Sequence, residues 1–352
     1  MRRSSPTLVI GPGRTARGGI SAVLRSHSQM PFWTAHRCCW IATVGAESGV
    51  IAHFLFFCRA LASMLAQLPS ANLLHVHTSS RHSFFRKAPF VVLGRLLGKP
   101  VILHVHGGAF GDFWRSAGGF KRCLIASVLH SAAVVVAISQ ISAAELRAYL
   151  PDIRLIVVPN PYEQLPKVNV PEATGGSVLF VGRIDSNKGI FDLLHAFART
   201  AQALPLARLV VAGDGKLTEA RRLTAELGIS GLVSFKGWIT SSELATEFAC
   251  ATVFCLPTYC ENLPMSLLLA MAAGVPVVST PVGGIRELIE TESSGMLVPP
   301  GDVAALSNAL ERMLLNAGLR RRLACSARDH VAAYSPTAVN ALMENLYSSL
   351  QR

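Results

Sequence analysis

Short apolar runs alternate with longer segments of helical periodicity from one end of the chain to the other, and this pattern restricts it to successive parallel βα units. In the first half the strand candidates are residues 8–10, 73–77, 101–106, 134–138 and 155–158. The second half repeats the style at 177–181, 208–212, 233–236, 253–256 and 276–279. There is no short-period repeat. The reading is therefore α/β, one Rossmann-like doubly wound domain following another, and 352 residues is too long for a single core.

Pro159, Pro161, Pro166 and Pro171, followed by Gly175-Gly176, mark a linker between the domains. Domains are expected at 1–165 and 166–335. A terminal helix at 336–352, introduced by Pro336, could pack on either. Two open sheets facing each other leave a crevice at the carboxyl ends of their strands, where ligands bind in such folds.

Charge separates the two halves. Residues 1–165 hold 17 Lys/Arg against 5 Asp/Glu, whereas residues 166–352 hold 16 of each, so the whole net charge of +12 lies in the first half. Such asymmetry calls for an anionic partner. No nucleic-acid motif accompanies it, and aromatic residues do not interleave with the basic ones, so nucleic acid is set aside. An anionic membrane face or a lipid-phosphate acceptor fits better. The opening Met-Arg-Arg-Ser-Ser-Pro leads into too short an apolar run for a signal peptide. The apolar stretch 50–68, interrupted by His53 and Arg59, falls short of a clean membrane span. Cys250, Cys255 and Cys260 recur every five residues with no histidine cluster beside them and read as buried, reduced thiols. The expected location is cytoplasmic, peripheral at the inner face of the plasma membrane.

Three loops carry candidate chemistry. Gly11-Pro-Gly-Arg14-Thr-Ala follows the first strand like a dinucleotide fingerprint, but no carboxylate occurs near residues 30–37 to hold a ribose. Gly18-Gly19, immediately before a helical pattern, allows backbone amides and a helix start to approach an anion; a turn needing positive φ accounts for it equally well. In the second half a strand ends at Gly182, and Arg183 and Lys188 sit in the loop that enters the next helix. Two cations at the carboxyl end of a strand suit a diphosphate.

The segment 256–280 reads as strand, loop, helix and strand. Glu261 lies just ahead of the helix, Pro264 is expected at its first position, and Gly274 at its C-terminal cap. This run resembles the retaining GT-B glycosyltransferases of family 4, whose pattern is a Glu, seven residues, a second Glu and a Met-Ala-x-Gly-x-Pro-Val-Val run. Val105-His106-Gly107, Gly182-Arg183, Lys188-Gly189, Gly213-Asp-Gly215, Lys236-Gly237 and Pro281-Val-Gly-Gly-Ile-Arg-Glu287 extend the resemblance over nearly the whole chain.

The resemblance implies a GT-B fold with two domains facing across a cleft, and roles for individual residues. Gly18 and Gly19 would lie against the donor diphosphate, and His106 would contact the donor sugar. Arg183 and Lys188 would neutralise the leaving diphosphate in place of a metal, and Glu261 would bind sugar hydroxyls. Gly182, Asn262 and the amides around Leu263 and Pro264 would complete the donor site, with Gly237 and Trp238 flanking the base. Leu269 stands where the family's second Glu holds the ribose, and Glu287 is a candidate substitute. No Asp-x-Asp metal motif occurs, so neither metal nor cofactor is implied.

His75, His77, His104 and His106 lie at period two on two strand candidates, so each pair points to one face. With no third ligand at useful spacing, they read as core or cleft histidines, His106 excepted by the resemblance. Arg14, Arg81 and His82 are the candidate acceptor contacts. The stretch that begins at Arg81 continues basic and apolar together to residue 97, as an interfacial helix or a buried helix with a charged start. The function implied is transfer of a hexose, with retention, from a UDP- or GDP-linked sugar to a lipid-linked or other glycan acceptor in exopolysaccharide or surface-polysaccharide synthesis. The rivals are a non-catalytic nucleotide-sugar-binding partner, suggested by Leu269, and an NAD(P)-dependent oxidoreductase using the Gly11 loop.

Overall fold

The computed structural model describes residues 5–45, 49–108, 110–165 and 176–351. The chain divides into two compact units, Met1–Glu163 with Tyr334–Arg352, and Gln164–Ala333. Of the expected linker, residues 166–175 lie outside the described residues.

The first unit contains β1 (Thr7–Gly11), β2 (Cys39–Ala42), β3 (Leu73–Thr78), β4 (Val101–Val105), β5 (Val134–Ala137) and β6 (Leu155–Val157). They form one parallel sheet in the order β2-β1-β3-β4-β5-β6. Every residue of β1, β3, β4 and β5 is buried, because helices cover both faces. This is why the central strands read as unbroken apolar runs. The edge strand β2 has three half-buried residues, Cys39, Trp40 and Ala42, so its pattern gave no such run and was not expected.

One face of this sheet carries the helices Val50–Gln67, His82–Leu96, Gly119–Ser131 and Gln140–Tyr149 over a core that includes Leu8, Leu74, Phe90 and Ile125. The other carries Gly19–His27, Pro31–Ala35 and the terminal helix Pro336–Leu350, around Phe32, Met343 and Tyr347. Phe32 N donates to Asn340 Oδ1 (2.9 Å) and Gln351 Nε2 to Thr7 Oγ1 (2.9 Å), which fastens the chain's end to the first unit. The helix Val50–Gln67 runs through His53 and Arg59 without a break. By length and composition it is apolar enough to cross a membrane, contrary to the reading from its sequence, and only Ala60 and Met64 are buried.

The second unit contains β7 (Ser177–Val181), β8 (Arg208–Ala212), β9 (Val233–Gly237), β10 (Val253–Leu256), β11 (Val277–Ser279) and β12 (Met296–Leu297), parallel in the order β12-β11-β10-β7-β8-β9. The two-residue β12 was too short to be legible. Helix Ile190–Ala203 packs with Val303–Leu315, and Met265–Ala273 with Ala317–His330. The strand order reverses between β7 and β10. That is the topological switch point, where loops from neighbouring strands diverge and leave room for a ligand.

Candidate active site

The loops that follow β7 and β10 meet at this switch point. After β7, Asp185 caps a short 3-10 turn by accepting from Lys188 N (3.0 Å), and Lys188 Nζ pairs with Glu261 Oε1 on the loop after β10. Tyr259 N and Thr258 Oγ1 both donate to Asn187 O at 2.8 Å, so backbone bonds lock the same two loops together. Arg183 remains largely exposed, its Nε 3.1 Å from Asp185 Oδ2.

Two glycines make this packing possible. A Cβ at Gly213 (φ 149°) would overlap the carbonyl of Gly182, and one at Gly283 (φ 48°) would overlap the carbonyl of Glu261. Both φ values lie in the region that glycine favours. Gly213-Asp-Gly215 therefore supports the Arg183 loop from one side: Ile184 N donates to Asp214 O (2.7 Å) and Lys216 N to Ile184 O (2.8 Å). The loop after β11 supports Glu261 from the other.

Asn262 and Leu263 are buried beside Glu261. Pro264 is the N-cap of helix Met265–Ala273 rather than its first residue, and Gly274 caps the other end in the left-handed conformation. The helix has no side-chain N-cap and no acidic residue in its first turn, which leaves its N-terminal amides and dipole available to an anion. The switch point thus gathers two cations, Arg183 and Lys188, each paired with a carboxylate, Asp185 and Glu261, and a helix start. Lys188 offsets the charge of Glu261, so the carboxylate does not repel an anionic ligand from the cationic loop. Leu269 is 7% exposed, in the same row as buried Leu267, Leu268, Ala270 and Met271, and contributes packing where a carboxylate was expected. Glu287 lies half-buried on the short helix Ile285–Leu288. Gly237 ends β9 with Trp238 beside it, about half exposed.

In the first unit, Gly18 and Gly19 begin the helix Gly19–His27, which has neither a side-chain cap nor an acidic first turn. A Cβ at either glycine would meet nothing within 4 Å, so this turn is open on its Cβ side. Arg14, in the loop after β1, stacks its guanidinium 5.1 Å over the Trp40 ring. Arg81 and His82 are exposed at the start of helix His82–Leu96, and Arg81 holds a positive φ of 57°. This first-unit set occupies loops at the carboxyl edge of its own sheet.

His106, directly after β4, is engaged at both ring nitrogens: Nε2 with His77 Nδ1 (2.8 Å) and Nδ1 with Asn160 Oδ1 (3.2 Å). An amide oxygen only accepts, so His106 Nδ1 carries the proton and Nε2 accepts from His77 Nδ1–H. Burial pushes His106 down to about 3, the nearby His27 adds to this, and Lys87 contributes further, while the Asn160 bond opposes them. A neutral, doubly engaged imidazole is a positioned polar surface and not a poised base. Asn160 lies between Pro159 and Pro161, and only that enclosure in the sequence hinted at a fixed role. Lys87 is another residue the sequence did not single out. It is 1% exposed, its Nζ lies 3.5 Å from Ser83 Oγ, and burial, then Arg86, lowers it to about 7.

The four period-two histidines do not remain two separate pairs. β3 and β4 are neighbours with His77 opposite His104, so the rings of His75, His77, His104 and His106 form one buried stack, with His27 against its edge. Nitrogens of His75, His77 and His104 lie within 4.8 Å of one another, which supplies the third ligand that spacing did not reveal. His75 already uses Nδ1 on Tyr347 Oη (2.7 Å) and Nε2 on His104 Nδ1 (3.2 Å), so a metal there would displace one of those bonds. The cysteines also differ from their reading. Cys255 is buried and its thiol is raised by burial, but Cys250 is only half-buried and Cys260 is exposed.

Comparison with known proteins places this geometry in a family. Residues 19–163 match the model of Glycosyltransferase Family 4, and residues 175–316 match Glycosyl transferases group 1. A D-inositol 3-phosphate glycosyltransferase of Streptomyces bingchenggensis is 31% identical over 184 residues, 49% of this chain and 40% of the relative. A 2-deoxystreptamine N-acetyl-D-glucosaminyltransferase of Streptomyces fradiae is 27% identical over 299 residues, 78% of this chain and 70% of the relative. The chain spans less than half the length of the first curated relatives it matches. Among solved structures, sucrose-phosphate synthase from Thermosynechococcus elongatus superposes with a TM-score of 0.80 at 24% identity, covering 98% of this chain and 99% of that one. The Anabaena protein Alr3699/HepE in complex with UDP-glucose superposes with a TM-score of 0.77 at 16% identity, covering 98% and 100%; these likenesses show a shared fold. With one family model on each unit and the GT-B architecture in both, the chain belongs to the group 1 (family 4) GT-B glycosyltransferases.

Proposed function

We infer that the chain is a glycosyltransferase whose second unit holds a UDP- or GDP-linked hexose and whose first unit receives a glycan acceptor, lipid-linked, in exopolysaccharide or other surface-glycan assembly. The observation that carries this reading is the Lys188–Glu261 pair, locked at the switch point beside Arg183 and an uncapped helix start. Cations and helix amides suit a diphosphate, and a carboxylate next to them suits the hydroxyls of the attached sugar. Similar proteins support the reading, since they include structures in complex with UDP and UDP-glucose, a phosphatidyl-myo-inositol mannosyltransferase and a lipopolysaccharide outer core galactosyltransferase.

In the proposed reaction the bond between the sugar's anomeric carbon and the β-phosphate oxygen breaks, and the acceptor oxygen bonds to that carbon on the same face. The acceptor's hydroxyl proton passes to the departing phosphate oxygen, so no protein base is consumed and configuration is retained. Arg183, Lys188 and the amides of the first turn of helix Met265–Ala273 stabilise the charge that develops on the leaving diphosphate, the part a metal would otherwise take. Glu261 orients the sugar, and His106, its two ring nitrogens held by His77 and Asn160, meets the transferred unit only by giving up one of those bonds. Arg14, Arg81 and His82 receive the acceptor's phosphate. The protein acts in the cytoplasm, at the inner face of the plasma membrane.

Leu269 favours one alternative, a nucleotide-sugar-binding partner without catalysis. Calorimetric titration with UDP, GDP and NAD, followed by assay of donor hydrolysis and transfer, separates the readings. Binding of UDP or GDP with turnover is the expected result. Binding without hydrolysis or transfer would support the non-catalytic partner, and stabilisation by NAD alone would overturn the nucleotide-sugar reading.

A further inference from the structure

We propose that the helix Val50–Gln67 is the element that seats the first unit on an anionic bilayer, lying in the interface with its apolar stripe toward the lipid. The inference rests on the lipid-linked acceptor reading and names the surface that reading requires.

A helix on the outside of a soluble α/β unit normally turns polar residues to water. This one does not. Val50 is 86% exposed, Ile51 77%, Phe54 63% and Leu55 50%, and the stripe continues at helical spacing through Cys58 and Ala62 to Leu65. The opposite side packs normally: Ala60 and Met64 are buried in the core, and the Phe57 ring meets Phe90 edge-on at 5.6 Å. The helix therefore has a satisfied inner face and an unsatisfied outer one, and an exposed apolar surface of this kind marks a contact site.

Charge selects the partner. No Asp or Glu occurs from residue 49 to residue 111, a stretch whose exposed cations are Arg59, Arg81 and Arg95. The loop leading into the helix is tied to the loop after β1 by Gly13 N donating to Val44 O (2.8 Å), which brings exposed Arg14 and Arg17 to the same edge of the unit. In a parallel βα unit each helix starts at the carboxyl edge of the sheet, so the most exposed turn, Val50 to Leu55, stands on the edge from which His106, Arg81 and His82 also emerge. Phe120, 84% exposed, opens another helix of the same layer at that edge. An apolar stripe on a helix that holds no Asp or Glu, with exposed arginines near it, matches an anionic lipid surface, with aliphatic and aromatic groups among the acyl chains and arginines at the headgroups. A second copy of this chain would bring the same positive charge against itself.

The test is flotation of the full chain with two kinds of vesicle, pure phosphatidylcholine and phosphatidylcholine with one quarter phosphatidylglycerol, at low and high salt. Wild type is expected to float with the anionic vesicles and to be released substantially by salt. Ile51→Ser with Phe54→Ser, both exposed, should keep the unfolding temperature and UDP binding while lowering the bound fraction by about tenfold. Double-variant protein that floats like wild type would overturn the assignment to this helix while leaving the membrane reading intact. Wild type that never floats, yet binds UDP, would overturn the membrane reading and leave the nucleotide-sugar reading standing. Light scattering that shows a dimer abolished by the two substitutions, without flotation, would overturn the proposal in favour of self-association.

Discussion

Lys188 and Glu261, 73 positions apart in the chain, form an ion pair that bridges the two loops diverging at the switch point of the second sheet. Each is mostly shielded from water, so their mutual attraction is less screened than that of a surface pair. The pair holds the carboxylate in place before any ligand arrives, while Arg183, paired with Asp185 across 3.1 Å but largely exposed, keeps a cation turned to solvent at the same loop.

Lys188→Ala is expected to weaken UDP- or GDP-sugar binding by about 10- to 100-fold, the worth of one charge-assisted hydrogen bond of roughly 1.5–3 kcal/mol. Glu261→Gln should lower turnover more than nucleotide affinity, since its partner is the sugar. The double variant should fall short of the product of the singles, because the two side chains touch. Full additivity in a calorimetric and kinetic cycle would show that the pair does not act as a unit.

Leu269→Glu places a carboxylate in a helical stretch, residues 267–271, that is buried all round. Without ligand the variant should unfold at a lower temperature, as an unpaired buried charge requires. If the ribose lies against this turn, nucleotide affinity should rise by about one to two decades at the same time. Lower stability with unchanged nucleotide affinity would mean that the ribose is held elsewhere, with Glu287 next to be tested.

Gly283→Ala forces a Cβ into the Glu261 carbonyl at a φ of 48°. The loop after β11 must move, at a cost on the order of 1–3 kcal/mol, and Glu261 with it. Transfer activity should drop about as far as in Glu261→Gln, and urea denaturation should report the loss in stability. A Gly228→Ala control adds a Cβ that meets no atom within 4 Å, so any loss there reflects its φ of 69° alone.

The histidine stack makes stability depend on pH with a definite sign. Burial lowers His27 and His106 to about 3 from 6.5, and holds His75, His77 and His104 well below 6.5. Between these values the unfolded chain binds protons that the folded chain does not, so stability is full above pH 6.5 and is lost as pH falls. Each histidine should cost about 1 kcal/mol between about pH 6.5 and 5.5, or several for the stack. Urea unfolding at three pH values checks this; a flat profile would mean that the stack is solvated or metal-bound. Zinc or cobalt added at neutral pH, with His104→Asn as control, distinguishes those two cases.

The sequence alone determined the strand-helix alternation, the two sheets and the loops that end central strands. Buried parallel strands must be apolar on both faces, and their helices must carry caps, so these elements are written locally. The proposed site residues Arg183 and Lys188 stood out for a related reason, since they follow a strand end marked by Gly182, whereas Glu261 and His106 stood out through the family resemblance. Short edge strands β2 and β12 were not legible, because half-buried pairs of residues carry no period.

Only the tertiary structure decided what crosses between elements. It put Lys188 against Glu261 and Asn187 against Tyr259, because β7 and β10 are neighbours in space although β8 and β9 intervene in the chain. It joined two histidine pairs into one stack through the register of β3 and β4, and gave His106 its tautomer through Asn160. It returned the terminal helix to the first unit and left the apolar stripe of Val50–Gln67 uncovered. Those outcomes depend on strand order and on which helix face finds a neighbour, and neither is encoded in any one segment's periodicity.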